Sequence, residues 1–271
     1  MNDSKRRVDA LWSTPRALIG MIHLPPLPGA PRWTGPMKRV LRRALEDATA
    51  LEAAGFDGVI VENYLDAPFH PATVPAVTVA AMTRAVAAVV EQVRIPVGVN
   101  VLRNDAAAAL SIAAATGAAF IRVNVHTGAM WTDQGLVTGT AHETLRLRRE
   151  LGLDTAIFAD VHVKHATPPA GADLGEAAAD AWSRGLADAL VVSGSGTGRA
   201  TEERDVDEVG RAVPEAPVFI GSGVTADSVG RLPAAARGAI VGTAVMRYGV
   251  AGGGVDPELA SAFIQAAADR K

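Results

Sequence analysis

Short apolar runs recur along this chain, each followed by an alanine-rich helical segment. The short runs fit buried strands and the longer stretches fit the helices between them. They predict strands near 17–22, 57–61, 97–101, 119–125, 155–161, 188–193, 217–221 and 238–241. Helices are predicted near 37–54, 75–93, 105–116, 141–151, 173–184, 205–213, 226–232 and 257–270. Thr140 with Glu143 and Asp173 with Glu176 have capping-box spacing, and Asp256-Pro257 fits an N-cap followed by proline. Strands alternating with helices imply a parallel sheet, and eight such units close most naturally as a (β/α)8 TIM barrel. The 271 residues suit one such domain, and no Pro/Ser-rich linker divides them. The expected organisation is an N-terminal extension over 1–16 and a barrel over 17–271.

Two of the predicted strands carry polar residues where burial is expected. In Phe120-Ile121-Arg122-Val123-Asn124-Val125-His126, alternation places Arg122, Asn124 and His126 on one face. In Phe158-Ala159-Asp160-Val161-His162-Val163-Lys164 it does the same for Asp160, His162 and Lys164. Strands flanked by helices are buried on both faces, and buried polar groups are costly unless paired or used. Asp160, His162 and Lys164 are therefore the candidate catalytic groups. A histidine between a carboxylate and an amine can be tuned near neutrality, and a desolvated lysine can serve as base or nucleophile. His23, Glu62, Asn100, Arg122, Asn124 and His126 stand at or near strand ends and form a candidate substrate-binding ring. Arg122 lies deepest, so it is expected to pair with Asp160 or Glu62.

Connections from helix to strand are short, whereas those from strand to helix are long, as in 126–140 and 193–204. In such barrels the long loops gather at the C-terminal mouth, where active sites are built. Small residues follow the last two strands, in Gly221-Ser222-Gly223 and Gly242-Thr243. Turns of this kind bring backbone N–H groups to a phosphate, so these five residues form the candidate phosphate site. Ser193 and Ser195, in Ser193-Gly194-Ser195-Gly196-Thr197-Gly198, follow strand six, where the run is expected to add donors or to form a mobile lid. That run does not open a dinucleotide fold, and no Walker sequence occurs, so no nucleotide cofactor is expected.

Composition narrows the picture. The formal net charge of −3 gives no general attraction to nucleic acid, and the absence of cysteine excludes disulfides and thiolate sites. A divalent metal held by His126, Asp160, His162 and Glu62 has acceptable ligand types, but no H-x-H or H-E-x-x-H spacing supports it. No signal-peptide core and no apolar run long enough for a transmembrane segment occur, so a cytoplasmic protein, forming a homo-oligomer, is expected.

Several segments together resemble the BtpA/SgcQ family. They include Gly20-Met21-Ile22-His23-Leu24-Pro25-Pro26-Leu27-Pro28-Gly29, Gly58-Val59-Ile60-Val61-Glu62-Asn63, Gly98-Val99-Asn100-Val101-Leu102-Arg103-Asn104-Asp105 and Asp160-Val161-His162-Val163-Lys164-His165. The resemblance implies a TIM-type barrel. The family's founding name reflects a role in photosystem I accumulation, while other members look like enzymes of sugar or nucleoside pathways. Two functions are expected from residues and resemblance together. The first is an enzyme acting on a small phosphorylated metabolite, a sugar- or ribosyl-phosphate, by isomerase, lyase or glycosidic-bond chemistry. The second is a non-catalytic assembly or stability factor that keeps the barrel.

Overall fold

Eight parallel strands close into a barrel in the computed structural model, which describes residues 3–194, 196 and 200–268. They are β1 (Ala17–His23), β2 (Gly58–Glu62), β3 (Val97–Asn100), β4 (Phe120–Val123), β5 (Ala156–Val161), β6 (Ala189–Val192), β7 (Val218–Ile220) and β8 (Ala236–Val241). β1 pairs with β8 in parallel from Ala17↔Gly238 to Gly20↔Val241, so no sheet edge is left open. Each predicted strand is present within a few residues. The fold class read from the sequence is the fold observed.

Outward-facing residues of the strands, among them Leu18, Val59, Val99, Ile121, Ile157 and Leu190, join the apolar faces of the helices in one continuous buried layer. Inside the barrel a second cluster fills the lower half with Ile19, Ile60, Phe120, Phe158, Val191, Phe219 and Ile240. Gly98 makes room for it: a Cβ there would lie 2.3 Å from the Phe120 ring. Above this cluster, toward the C-terminal strand ends, stand the buried polar side chains of Glu62, Asn100, Arg122 and Asp160.

Three features depart from the sequence-based expectation. The polar N-terminal extension contains a helix, Asp3–Leu11, that closes the bottom of the barrel. Val8 and Trp12 enter the interior cluster, and Trp12 meets Phe120 edge-on at 5.5 Å while its Nε1 donates to the Asp57 carbonyl at 2.6 Å. The long 126–140 connection folds into a hairpin, Ala129–Thr132 against Gly135–Thr138, extended by Ala166–Thr167. The expected helix over 173–184 is α-helical only at Leu174–Ala179, then widens into a π turn at Asp180–Arg184.

The capping expectations divide. Asp256 caps its helix by accepting from the Glu258 and Leu259 amides, with Pro257 in the first turn. Asp173 accepts from the Glu176 amide at 2.8 Å. Thr140 does not cap with its side chain; its carbonyl instead accepts from the Glu143 and Thr144 amides.

Candidate active site

Register builds the floor of the mouth. His23 pairs with Glu62, Glu62 with Asn100, and Asn100 with Arg122, so four polar side chains from β1 to β4 stand side by side. One turn of the pleat higher, Asp160 on β5 faces the Arg122 guanidinium. Arg122 Nε donates to Asp160 Oδ2 at 2.9 Å and Nη2 donates to Oδ1 at 2.7 Å. Of the two partners expected from the depth of Arg122, Asp160 is the one it holds, bidentately. Asn124 donates to Asp160 Oδ2 at 3.1 Å, and Ser193 donates to Oδ1 at 3.3 Å. Asn100 in turn donates to the Arg122 carbonyl and to Asn124 Oδ1. Both Asp160 oxygens are thus engaged by donors from Arg122, Asn124 and Ser193.

Above this floor opens a cavity of about 540 Å³ lined by Glu62, Tyr64, Phe69, Leu102, Arg103, Asn124, Lys164 and Arg32, with Asp133 and His165 at its rim. Glu62 is buried, and loss of water pushes its carboxyl above the usual carboxylate range against the pull of Lys164 and Arg122. Lys164 also reaches in. Burial, reinforced by the Arg122 charge, lowers its ammonium from 10.5 to about 8, with Glu62 and Asp160 opposing. His23 stacks on Tyr64 at 4.3 Å and sits with Nε2 3.5 Å from Glu62 Oε1. Its Nδ1 accepts from the Gly252 amide at 3.0 Å, so the neutral ring carries its proton on Nε2, toward Glu62. Burial, together with the Lys164 and Arg122 charges, holds this histidine neutral by lowering it to about 3.

The loops over the cavity are tied by side chains that imitate backbone. Asn63 accepts from the Leu102 amide at 2.8 Å and donates to Asp66, which accepts from the Leu27 amide at 2.8 Å. Asn104 clasps Val125, accepting from its amide and donating to its carbonyl, each at 2.8 Å. These ties hold the loops after β1, β2, β3 and β4 in one frame.

Two expected site residues turn elsewhere. His162 adopts φ 51 directly after β5, which ends the alternation. Its ring is half-buried, near the Asp173 and Glu208 charges; it does not line the cavity of about 540 Å³ but borders a neighbouring one that Lys164 and Ser193 also line. His126 lies beyond the end of β4, fully buried, with Nε2 against the Gly185 carbonyl at 2.8 Å, and it too is outside the cavity. The four residues considered for a metal are therefore not brought together. Among the described residues no group of three or more His, Asp or Glu side chains is arranged to hold one. Ser195 lies outside the described residues.

None of the residues in the glycine turns after β7 and β8 lines this cavity. A Cβ on Gly221 would lie 3.3 Å from Arg122 Nη2 and 2.2 Å from Ser193 Oγ, while one on Gly242 would lie 3.9 Å from the His23 ring. Gly223 has φ +77, and the Ser222 hydroxyl accepts from the Gly194 amide at 3.0 Å. Gly242 precedes a single 3-10 turn, Thr243–Val245. Sequence reasoning missed Arg103 and Arg32 altogether. Arg103 follows β3 directly, in the run Asn100-Val101-Leu102-Arg103, and that adjacency to a strand end was the signal available.

A closed parallel barrel with its polar groups gathered at the C-terminal mouth defines the molecule as a TIM-barrel protein. The model of the BtpA family matches residues 14–269, and the chain belongs to that family. It is 49% identical over 258 residues to the photosystem I biogenesis protein BtpA of Synechocystis, covering 95% of this chain and 90% of that protein. An uncharacterized protein of Thermococcus kodakarensis is 48% identical over 236 residues, or 86% of this chain and 88% of its own length. Among solved structures, phosphoribosyl anthranilate isomerase from Thermus thermophilus superposes with a TM-score of 0.59 at 12% identity, covering 94% of this chain and 100% of that one. KGPDC from Streptococcus mutans gives 0.57 at 12% identity, with 94% and 98% covered. At such identities the likeness is one of fold. No helix among the described residues is long and apolar enough to cross a membrane.

Proposed function

We propose that this chain is a barrel enzyme that moves a proton on a small phosphorylated metabolite, with Glu62 and Lys164 as the acid–base pair. The observation that carries this reading is a half-buried lysine, lowered to about 8, sharing a cavity with the buried Glu62 carboxylate. A lysine tuned toward neutrality can give and take a proton at ordinary pH, and a carboxyl raised by burial does the complementary step. Burying both without such use costs stability for nothing. Asp160 and Arg122 hold the frame, His23 turns its one N–H toward Glu62, Asn124 presents a hydrogen-bond donor to the ligand, and the turns at Gly221, Ser222, Gly223, Gly242 and Thr243 take the phosphate. The phosphate would then lie on the β7–β8 side, with the reacting carbons over Glu62 and Lys164.

A panel of sugar- and ribosyl-phosphates, screened by thermal shift, tests the reading, because a ligand of the native state raises apparent stability. With a ligand in hand, Glu62→Gln and Lys164→Met should each lower kcat about 100-fold or more while changing KM little. Full turnover in both variants would remove the acid–base assignment. The photosystem I relative favours a second reading, that of an assembly factor, under which no phosphorylated metabolite in the panel would bind.

A further inference from the structure

Arg103 is buried, 5% exposed, and it faces the cavity, yet it has no carboxylate to hold. Its Nη2 donates to the Lys164 carbonyl at 2.7 Å, which ties the loop after β3 to the loop after β5. Its Nε has no hydrogen-bond partner and is sealed from water, so the donors left for a ligand are those of the outer, Nη edge. Asp160, Asp133 and Glu62 attract it only from a distance, none as an ion pair among the described residues, and Arg122 repels it. Contrast Arg122, equally buried, whose Nε and Nη2 both donate to the Asp160 carboxylate. A guanidinium removed from water with an unused donor edge is costly unless an anion arrives.

The surroundings point the same way. Lys164 and Arg32 join Arg103 on the cavity wall, against Glu62 and the rim Asp133. The same cavity is lined by Tyr64, Phe69 and Leu102, which offer apolar surface to the body of a ligand. The glycine turns after β7 and β8 lie elsewhere, reached past His23 and Arg122, and they do not line this wall.

We propose a second anion subsite at Arg103, so that the ligand is doubly charged: a phosphate at the β7–β8 turns and a carboxylate on the free edge of the Arg103 guanidinium. The inference rests on the phosphorylated-metabolite reading for the first of these groups only. A single planar donor edge suits a carboxylate, and a second phosphate has more acceptors than that edge can meet. The carboxylate would lie beside Lys164, which suits proton transfer at a carbon next to it. Binding would then also neutralise the charge that burial leaves uncompensated.

Three probes differing by one group each test this by calorimetric titration of the wild-type chain. They are 3-phosphoglycerate, glycerol 3-phosphate and glycerate. The expected result is 3-phosphoglycerate about tenfold or more tighter than glycerol 3-phosphate, the worth of one charge-assisted contact. In Arg103→Lys, which keeps a cation and loses the planar edge, that advantage should vanish while glycerol 3-phosphate binds as before. Equal wild-type affinity for those two probes would overturn the subsite and leave the phosphate reading standing. Binding of glycerate, lost in Arg103→Lys, with no gain from a phosphate would support the subsite and sink the phosphate reading. A gain for ribulose 1,5-bisphosphate over ribulose 5-phosphate, with none for 3-phosphoglycerate over glycerol 3-phosphate, would overturn the carboxylate assignment. The wild-type comparisons need no variant, so they decide even if Arg103→Lys fails to fold.

Discussion

Replacing Arg122 by methionine keeps most of its volume and strands Asp160 in the barrel interior. Arg122 heads the fully buried side chains by size, and the two side chains of the pair are 1% and 0% exposed. The substitution removes two charge-assisted hydrogen bonds, at 2.9 and 2.7 Å, each worth roughly 1.5–3 kcal/mol. Asp160 keeps the Asn124 and Ser193 donors, which soften the loss without supplying a positive charge. The expected destabilisation is therefore in the lower part of the roughly 3–5 kcal/mol seen when a buried pair loses one member. For a chain of this size that is a drop in Tm of about 6–9 °C, at about 2 °C per kcal/mol. Guanidinium unfolding followed by circular dichroism measures it, with an unchanged m-value showing that the same surface unfolds. The control is Arg122→Met with Asp160→Leu, which leaves no orphaned charge and should recover most of the loss. An Arg122→Met protein within about 1 kcal/mol of wild type would refute the reasoning, since the cost of a stranded buried charge lies well above that. A double variant no more stable than the single one would refute it equally.

Two further outcomes follow from the site. Lys164 is lowered from 10.5 to about 8, so between those values the unfolded chain holds a proton that the folded chain has lost, and stability should rise with pH across that window. Below it both states are protonated and the burial cost is complete, so Lys164→Met should stabilise the protein at pH 7 by up to about 3 kcal/mol, a gain that fades above pH 10. A wild-type curve flat from pH 8 to 10 would contradict the half-buried position. Gly223 sits at φ +77, so Gly223→Ala should cost about 1 kcal/mol and leave the barrel folded. If that turn takes the phosphate, the same variant should weaken a phosphorylated ligand and spare its dephosphorylated form; equal losses for both would remove the turn from the site.

The sequence by itself determined the barrel, because a fold of this class is written as a rhythm of short apolar runs and amphipathic stretches, and rhythm is local. Within a strand, alternation also decides which side chains share a face, so Arg122, Asn124 and Asp160 could be placed together from their spacing, and they do meet. That rule lapses where the strand stops. β5 ends at Val161, and the positive φ of His162 swings its ring aside, so that Lys164, two residues on, is the one that enters the cavity. β4 ends at Val123, and His126 turns to the Gly185 carbonyl, 59 residues away in the chain. The N-terminal helix was equally hidden: its polar composition masks two residues, Val8 and Trp12, whose partners lie on β4, β5 and β7. Arg103 is defined by what reaches it, the Lys164 carbonyl 61 positions on, and by what does not, a carboxylate. Only the tertiary structure could decide these, because past a strand's end a side chain's direction is set by loop dihedrals and by contacts between residues far apart in the chain.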